Sequence, residues 1–247
     1  GALLRIAAYS KYRSQVEQEL FDQERALESA NVAERIEQGF PEFAMSFSSK
    51  KNVGGFTTTH PFDSHPPLAQ RVQAVGLELD DGMMQSMLEY PGDGRWFELI
   101  HEAESLERGQ WDSFEKRFQE MHESTLPFRF IPETAEEEEI VVASFPEVSY
   151  TGKEGVFVMD YAKIQMEKWE EAIPFQEITS MNLEDNLLTV HRKTGKNLKI
   201  KLNKFGSQTQ QEMLDMINQY FTRYQAAVAY REQKQELAAQ AKSQFEA

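Results

Sequence analysis

The sequence predicts an α+β chain. An all-α region covers about residues 1–124, and an antiparallel β region closed by a helix covers 125–247. Three observations predict this. Apolar residues recur at helical spacing through much of the first half. Near residue 125 that spacing gives way to short alternating runs rich in Val, Ile, Phe and Tyr. After residue 206 the helical period returns, with Met213, Met216, Ile217, Tyr220, Phe221 and Tyr224 on one face.

Composition bounds the function classes. A chain of 247 residues is ample for one or two domains with buried cores. Its net charge of -15 argues against nucleic-acid binding and against a broad basic face for membranes. There is no cysteine, which excludes disulfides, thiol chemistry and cysteine-ligated metals, and fits a reducing compartment. No apolar run approaches the ~20 residues that a membrane-spanning helix needs. The chain opens at Gly1 inside a helical pattern, so the expectation is a piece whose anchor, if it has one, lies upstream.

Taken in order, residues 2–38 read as one helix, ended by Gly39 and Pro41. Residues 41–64, with serines, paired glycines and three consecutive threonines, read as a long loop. Two His-Pro steps follow, His60-Pro61 and His65-Pro66. A residue before proline is pushed out of the helical region, whereas Pro67 suits the first turn of a helix. Leu68, Val72 and Val75 then form a short apolar stripe, Gly76 is a stop, and Arg71 stands one turn in. Asp80 or Asp81 is placed to cap a helix through Leu88, and residues 90–94 form a turn. Helical spacing resumes from Trp96 to Leu106, and Gly109 divides it from a second short helix through Trp111, Phe114 and Phe118. These aromatics read as mutual packing, and His101 and His122 as isolated residues without a site.

Beyond residue 125, Phe128 to Ile131 reads as extended and Glu133 to Glu139 as a solvated loop or strand start. Ile140 to Phe145 has strong β character. Hairpins are predicted for Val148–Tyr150 with Val156–Met159, and for Leu187–His191 with Leu198–Leu202. Between them, Lys163 to Trp169 alternates, with Ile164 and Met166 on one face. Ser207 with Gln210 reads as a capping box, and the Ala-, Gln- and Glu-rich end extends the helix with a fraying tip.

The stretch Ser64-His65-Pro66-Pro67-Leu68-Ala69-Gln70-Arg71-Val72 resembles a segment of the HtpX-type and CAAX-prenyl-protease family of zinc metallopeptidases. The likeness covers roughly residues 1–76. It implies that His65, Pro66 and Arg71, with His60 secondary, edge a peptidase cleft. It also implies a membrane-anchored parent whose soluble part faces the bacterial cytoplasm, with an upstream peptidase domain and protein or peptide substrates as partners. One departure is decisive for chemistry. The family holds zinc through H-E-x-x-H and a later Glu, and no H-E-x-x-H occurs here; His101-Glu102 is followed by Ala103-Glu104-Ser105. Zinc is therefore expected in the intact parent and not in this chain alone, which is expected to be inactive. Read from the residues alone, both histidines are equally turn residues and Arg71 an exposed helix residue; the two readings stay open.

The later region resembles the pleckstrin-homology-like domains of bacteria, on Ile173-Pro174-Phe175-Gln176-Glu177-Ile178 and Leu188-Thr189-Val190-His191. That likeness covers roughly 126–224 and implies a seven-stranded antiparallel barrel capped by the C-terminal helix. Headgroup binding needs clustered Lys and Arg in the end loops. Lys153 stands beside Glu154, one loop holds Asp185, and Lys193, Lys196, Lys199, Lys201 and Lys204 read as a solvated face. The expected role is protein docking. The rival expectation is a stand-alone adaptor with no catalytic parent.

Overall fold

The computed structural model describes residues 2–49, 66–77, 82, 86, 88 and 95–245. The chain divides into two compact units, residues 1–122 and 123–247. The predicted loop over 50–64, the cap at residues 80–81 and the turn at 90–94 lie outside the described residues, as do His60 and His65.

In the first unit, α1 (Ala2–Phe21) and α2 (Val32–Ser49) pack beside α5 (Ala103–Thr125), whose last residues pass into the second unit. Among the described residues the short helices α3 (Leu68–Ala74) and α4 (Arg95–Glu98) lie between α2 and α5 in the chain. Val16, Leu20, Val32, Ile36 and Phe118 form the core, which the rings of Trp111 and Phe114 extend. Trp111, Phe114 and Phe118 do pack in sequence along α5, with centroids 5.7 and 6.1 Å apart. Arg13 lies over the Phe114 ring at 4.6 Å, within cation–π range.

Three helical expectations are corrected here. Residues 2–38 are not one helix, because the chain breaks over 22–31. That break is tertiary in origin. Gln119 Nε2 donates to the Leu27 carbonyl at 2.8 Å, and His122 Nε2 lies 2.9 Å from the Arg25 carbonyl oxygen. Leu27 and Ala30 are buried there, and Asn31 takes a left-handed φ of 44° before α2. Nor do Gly39 and Pro41 end a helix; α2 runs through both, so 41–49 is helix and not loop. A side chain at Gly39 would put its Cβ 1.7 Å from Tyr12 Oη, so this glycine permits close approach of α1 and α2. Tyr12 also meets Phe43 at 4.8 Å, packing that outweighs the hydrogen bond lost at Pro41. Finally, Gly109 lies inside α5, which is one helix of 23 residues.

In the second unit, two antiparallel sheets and two helices share one core. The first sheet has the order β1 (Val148–Gly152), β2 (Gly155–Met159), β3 (Lys163–Met166), β4 (Ile173–Pro174). The second has β5 (Ile178–Glu184), β6 (Leu187–Arg192), β7 (Leu198–Lys201). The chain is thus an α+β mixture, with both predicted hairpins formed. In β3, Ile164 and Met166 are buried while Lys163 and Gln165 are exposed, as alternation dictates. A 3₁₀ turn over Phe175–Glu177 leads from β4 into β5. Asp185 and Asn186 both take positive φ, 46° and 65°, the signature of a type I′ turn closing β5 onto β6. The long helix α7 (Ser207–Phe245) lays Met213, Ile217 and Tyr220 into the core.

Ile140 to Phe145 is not a strand, nor are Glu136 to Glu139 a loop; residues 135–144 form α6 (Ala135–Ser144). The β-branched run is outvoted by a capping box. Thr134 Oγ1 accepts from the Glu137 amide at 3.3 Å, and Glu137 Oε2 accepts from the Thr134 amide. Three glutamates in the first turn also favour the positive end of the helix. Leu126–Phe128 is a 3₁₀ turn, so Phe128 to Ile131 is not a strand either. At α7 the predicted capping box is absent: Ser207 is already helical, and Gln210 Nε2 reaches back to the Phe205 carbonyl at 2.9 Å.

The β1–β2 turn carries a pH-sensitive contact. Glu154 accepts from Lys168 and pairs with Lys201 at 3.4 Å. The hydrogen bond from Lys168, aided by Lys201, holds its carboxyl below the ordinary value of 4.5. A depressed carboxyl pKa contributes stability above the unfolded value and loses it as pH falls through the folded one. A carbon NMR titration of the Glu154 carboxyl should therefore show its midpoint rising in Lys168→Met. An unchanged midpoint would refute the assignment.

Candidate functional site

The motif singled out by the sequence falls on the edge of the described residues. Pro66 is exposed, and Pro67, at φ −48° and ψ 148°, enters α3 extended. The Arg71 amide donates to the Pro67 carbonyl at 3.1 Å, so the helix starts at Leu68 with Pro67 as its cap residue, one position before the first turn predicted for it. Arg71 is exposed, and among the described residues no carboxylate pairs with it. Gly76 takes φ 75° and its amide closes the helix onto Gln73, as the stop signal predicts. Val75 leaves the expected apolar stripe and is 71% exposed. The structure thus shows Pro66 and Arg71 at an exposed helix start, while His60 and His65 lie outside the described residues. His101 is exposed beside Glu102; His122 is buried edge-on against Phe21 at 5.7 Å. Among the described residues no three His, Asp or Glu side chains converge on a point that would suit a cation.

Two grooves were not legible in the sequence. In the first unit a cavity of about 700 Å³ lies between α1, α2 and α5. Tyr9, Ile36 and Trp111 line it, with Glu34, Glu37 and Glu107 among its acidic groups. One of its carboxylates, Glu115, accepts from the Ala33 amide at 2.9 Å and so caps the start of α2. Burial, its largest cause, raises the Tyr9 pKa above 10.0.

In the second unit a groove of about 550 Å³ runs between β5 and α7. From the sheet it is lined by Thr179, Ser180, Met181, Leu183 and Leu188. From α7 come Leu214, Ile217 and Phe221, with Asp215, Asn218 and Gln225. Residues on α7 four and three apart meet one surface, which is why a single helix face supplies a whole wall. Among the described residues β5 is an edge strand, paired with β6 alone. A register shift between Ile178 and Ser180 bulges it, and Thr179 Oγ1 donates to the His191 carbonyl at 3.2 Å.

Beyond β7 the Lys153 amide donates to the Lys204 carbonyl at 2.9 Å, and Phe205 packs against Gly152. The lysines on this side are exposed or held, Lys201 by Glu154. Near the groove's other end Arg192 is held by Glu177 at 2.7 Å and Glu171 at 3.3 Å. These pairings balance Arg192 and Lys201, while Lys193, Lys196 and Lys199 are exposed and none of them lines the groove.

Four tyrosines on or beside this unit's core titrate late. Burial, in each case the largest cause, raises Tyr150, Tyr161, Tyr220 and Tyr224 above 10.0. A raised folded pKa preserves stability below the unfolded value and loses it as pH rises through the folded one. Phenolate absorbance should therefore lag that of free tyrosine above pH ~10 and then rise together with unfolding. Independent, gradual ionisation with the fold intact would contradict this.

Compared with protein families and with curated proteins, the chain matches none. Among the described residues no helix is long and apolar enough to cross a membrane.

Proposed function

We propose that the second unit is a pleckstrin-homology-like domain that docks protein substrates, and that the chain serves a zinc-dependent endopeptidase as its docking portion, supplying the cleft-edge motif around His65, Pro66 and Arg71. The observation that carries the docking reading is the groove between β5 and α7 beside an unpaired strand edge. A four-stranded and a three-stranded antiparallel sheet sharing a core with a C-terminal helix support the domain likeness. The Ser64-to-Val72 match supports the peptidase link. Zinc and its ligands belong to the parent in this reading, since this chain carries no H-E-x-x-H.

The test uses reduced, carboxymethylated α-lactalbumin, a permanently unfolded protein, with zinc present. The full chain should bind it in fluorescence anisotropy without cleaving it, and should ignore vesicles of phosphatidylcholine doped with phosphatidylinositol 4,5-bisphosphate. Cleavage, or vesicle binding without protein binding, overturns the proposal.

A second reading, the stand-alone adaptor, is favoured by one observation: α1, α2 and α5 close a core from their own residues. The native polypeptide separates the two. An H-E-x-x-H helix on the same chain supports the peptidase portion; a complete native chain without one supports the adaptor.

A further inference from the structure

We propose that the groove between β5 and α7 binds an extended, unphosphorylated peptide that adds to β5 as a fourth strand of its sheet. This rests on the protein-docking reading above and names the ligand class and the mode of that site.

Four observations carry it. First, β5 ends its sheet with one side unpaired among the described residues. That far side has no backbone partner among them, and the nearby backbone bond to the neighbouring sheet, Lys153 amide to Lys204 carbonyl, lies past the end of β7. An unpaired edge is a template for another strand, and backbone pairing is what it offers a ligand.

Second, the usual guards are missing. Proteins blunt exposed edges with lysine, proline or inward charge. From Thr179 to Glu184 the β5 edge carries no lysine and no proline; its one charge, Glu184, sits at the turn.

Third, the side-chain pockets lie where an added strand would need them. Met181 and Leu183 share one face of β5 by the two-residue period, and both line the groove with Leu214, Ile217 and Phe221. Leu183 is 51% exposed, a large apolar side chain left at the open edge. Five residues of added strand, at ~3.4 Å each, would run about 17 Å along β5. Alternate side chains of that strand would point into the apolar floor.

Fourth, the charge selects the peptide. Asp215 is the one charged residue lining the groove. With no Lys or Arg there, a phosphopeptide or an acidic strand would bury negative charge against Asp215 without compensation. The fitting ligand alternates apolar residues and carries a Lys or Arg toward α7.

The test selects linear peptides from a phage-displayed random library on the full chain, then synthesises the enriched sequence. The enriched peptide should show apolar alternation and a basic residue. On binding, the amides of Ser180 to Leu183 should exchange at least ~10-fold more slowly. Methylating alternate backbone nitrogens of the peptide should weaken binding by at least about tenfold, because strand addition needs those donors. Leu183→Asp and Asn218→Arg should do the same while leaving the melting temperature within a few degrees. No enriched sequence, indifference to N-methylation, or protection confined to the β1–β2 turn overturns the inference. So does a dimer whose β5 amides are already protected without peptide, because a second copy would then be the occupant. The two readings fail separately. If Leu183→Asp and Asn218→Arg still bind carboxymethylated lactalbumin as wild type does, the groove is wrong and docking stands; if neither lactalbumin nor any peptide binds the wild type, both fall.

Discussion

Replacing Arg223 with alanine is expected to destabilise the second unit by about 3–5 kcal/mol, the range for breaking a buried charged arrangement. Arg223 is 1% exposed. Its Nη1 donates to the carbonyls of Phe130 at 2.9 Å and Pro127 at 3.3 Å, and its Nη2 to that of Tyr161 at 2.9 Å. The guanidinium also lies 5.9 Å from the ring centroids of Phe145 and Tyr161. One side chain on α7 thereby ties the 3₁₀ turn after α5 to the loop between β2 and β3. Burial pushes its pKa down, yet an arginine keeps its proton, so a full charge sits in the core. No carboxylate pairs with it among the described residues; carbonyl dipoles and rings balance it instead. Truncation would leave the two buried carbonyls of Pro127 and Phe130 and the part-buried one of Tyr161 short of a donor, at a cost of about 1–3 kcal/mol for each buried one, and open a cavity. Relief of the buried charge offsets part of that. Arg223→Met separates the terms, because it keeps most of the volume and removes the charge. It should cost clearly less than alanine, about 1–3 kcal/mol. Urea unfolding followed by the methyl signals of Ile164, Ile173 and Ile200 reads this unit alone. An alanine variant within about 1 kcal/mol of wild type would mean that the three hydrogen bonds contribute nothing net.

Arg223 also marks where the sequence stopped being legible. Local patterns were legible wherever one face of a strand is buried: the alternation of Ile164 and Met166 placed β3, and both hairpins formed as read. The start of α3 at Pro67 and its stop at Gly76 are equally local. Errors arose where two local signals conflicted or where the deciding contact was distant. Ile140 to Phe145 looked like a strand, but the winning signal was carried by Thr134 and Glu137, which precede that run. The break at 22–31 contains neither Gly nor Pro; its cause is Gln119 and His122, far along the chain. Gly39 was read as a stop because nothing local reveals Tyr12 across the helix pair. Pro66 and Arg71 could be placed on a helix start, but the groove between β5 and α7 could not be foreseen. It exists because two segments some thirty residues apart meet, and nothing in either one says that β5 ends its sheet.

Phe175→Ala is expected to cost about 3–5 kcal/mol and to weaken the groove as well as the fold. Phe175 is fully buried in the turn between β4 and β5, and its ring lies 5.9 Å from both Phe221 and Tyr224 on α7. The stability term follows from transfer of a ring plus the cavity left where strands and helix cannot close up. The functional term follows from Phe221, which also lines the groove. Without Phe175 behind it, that ring gains rotamer freedom, and a bound peptide would have to order it again. Phe175→Leu provides the control. It refills most of the volume, should recover more than half of the stability, and should recover groove binding only as far as Phe221 is held again. Measured at a temperature where both variants remain folded, affinity for the selected peptide should therefore fall in the order wild type, leucine, alanine, with β5 amide protection falling in step. Full affinity in a destabilised but folded Phe175→Ala would show that Phe221 is positioned by the sheet alone, and that this buried turn supports the core without shaping the groove.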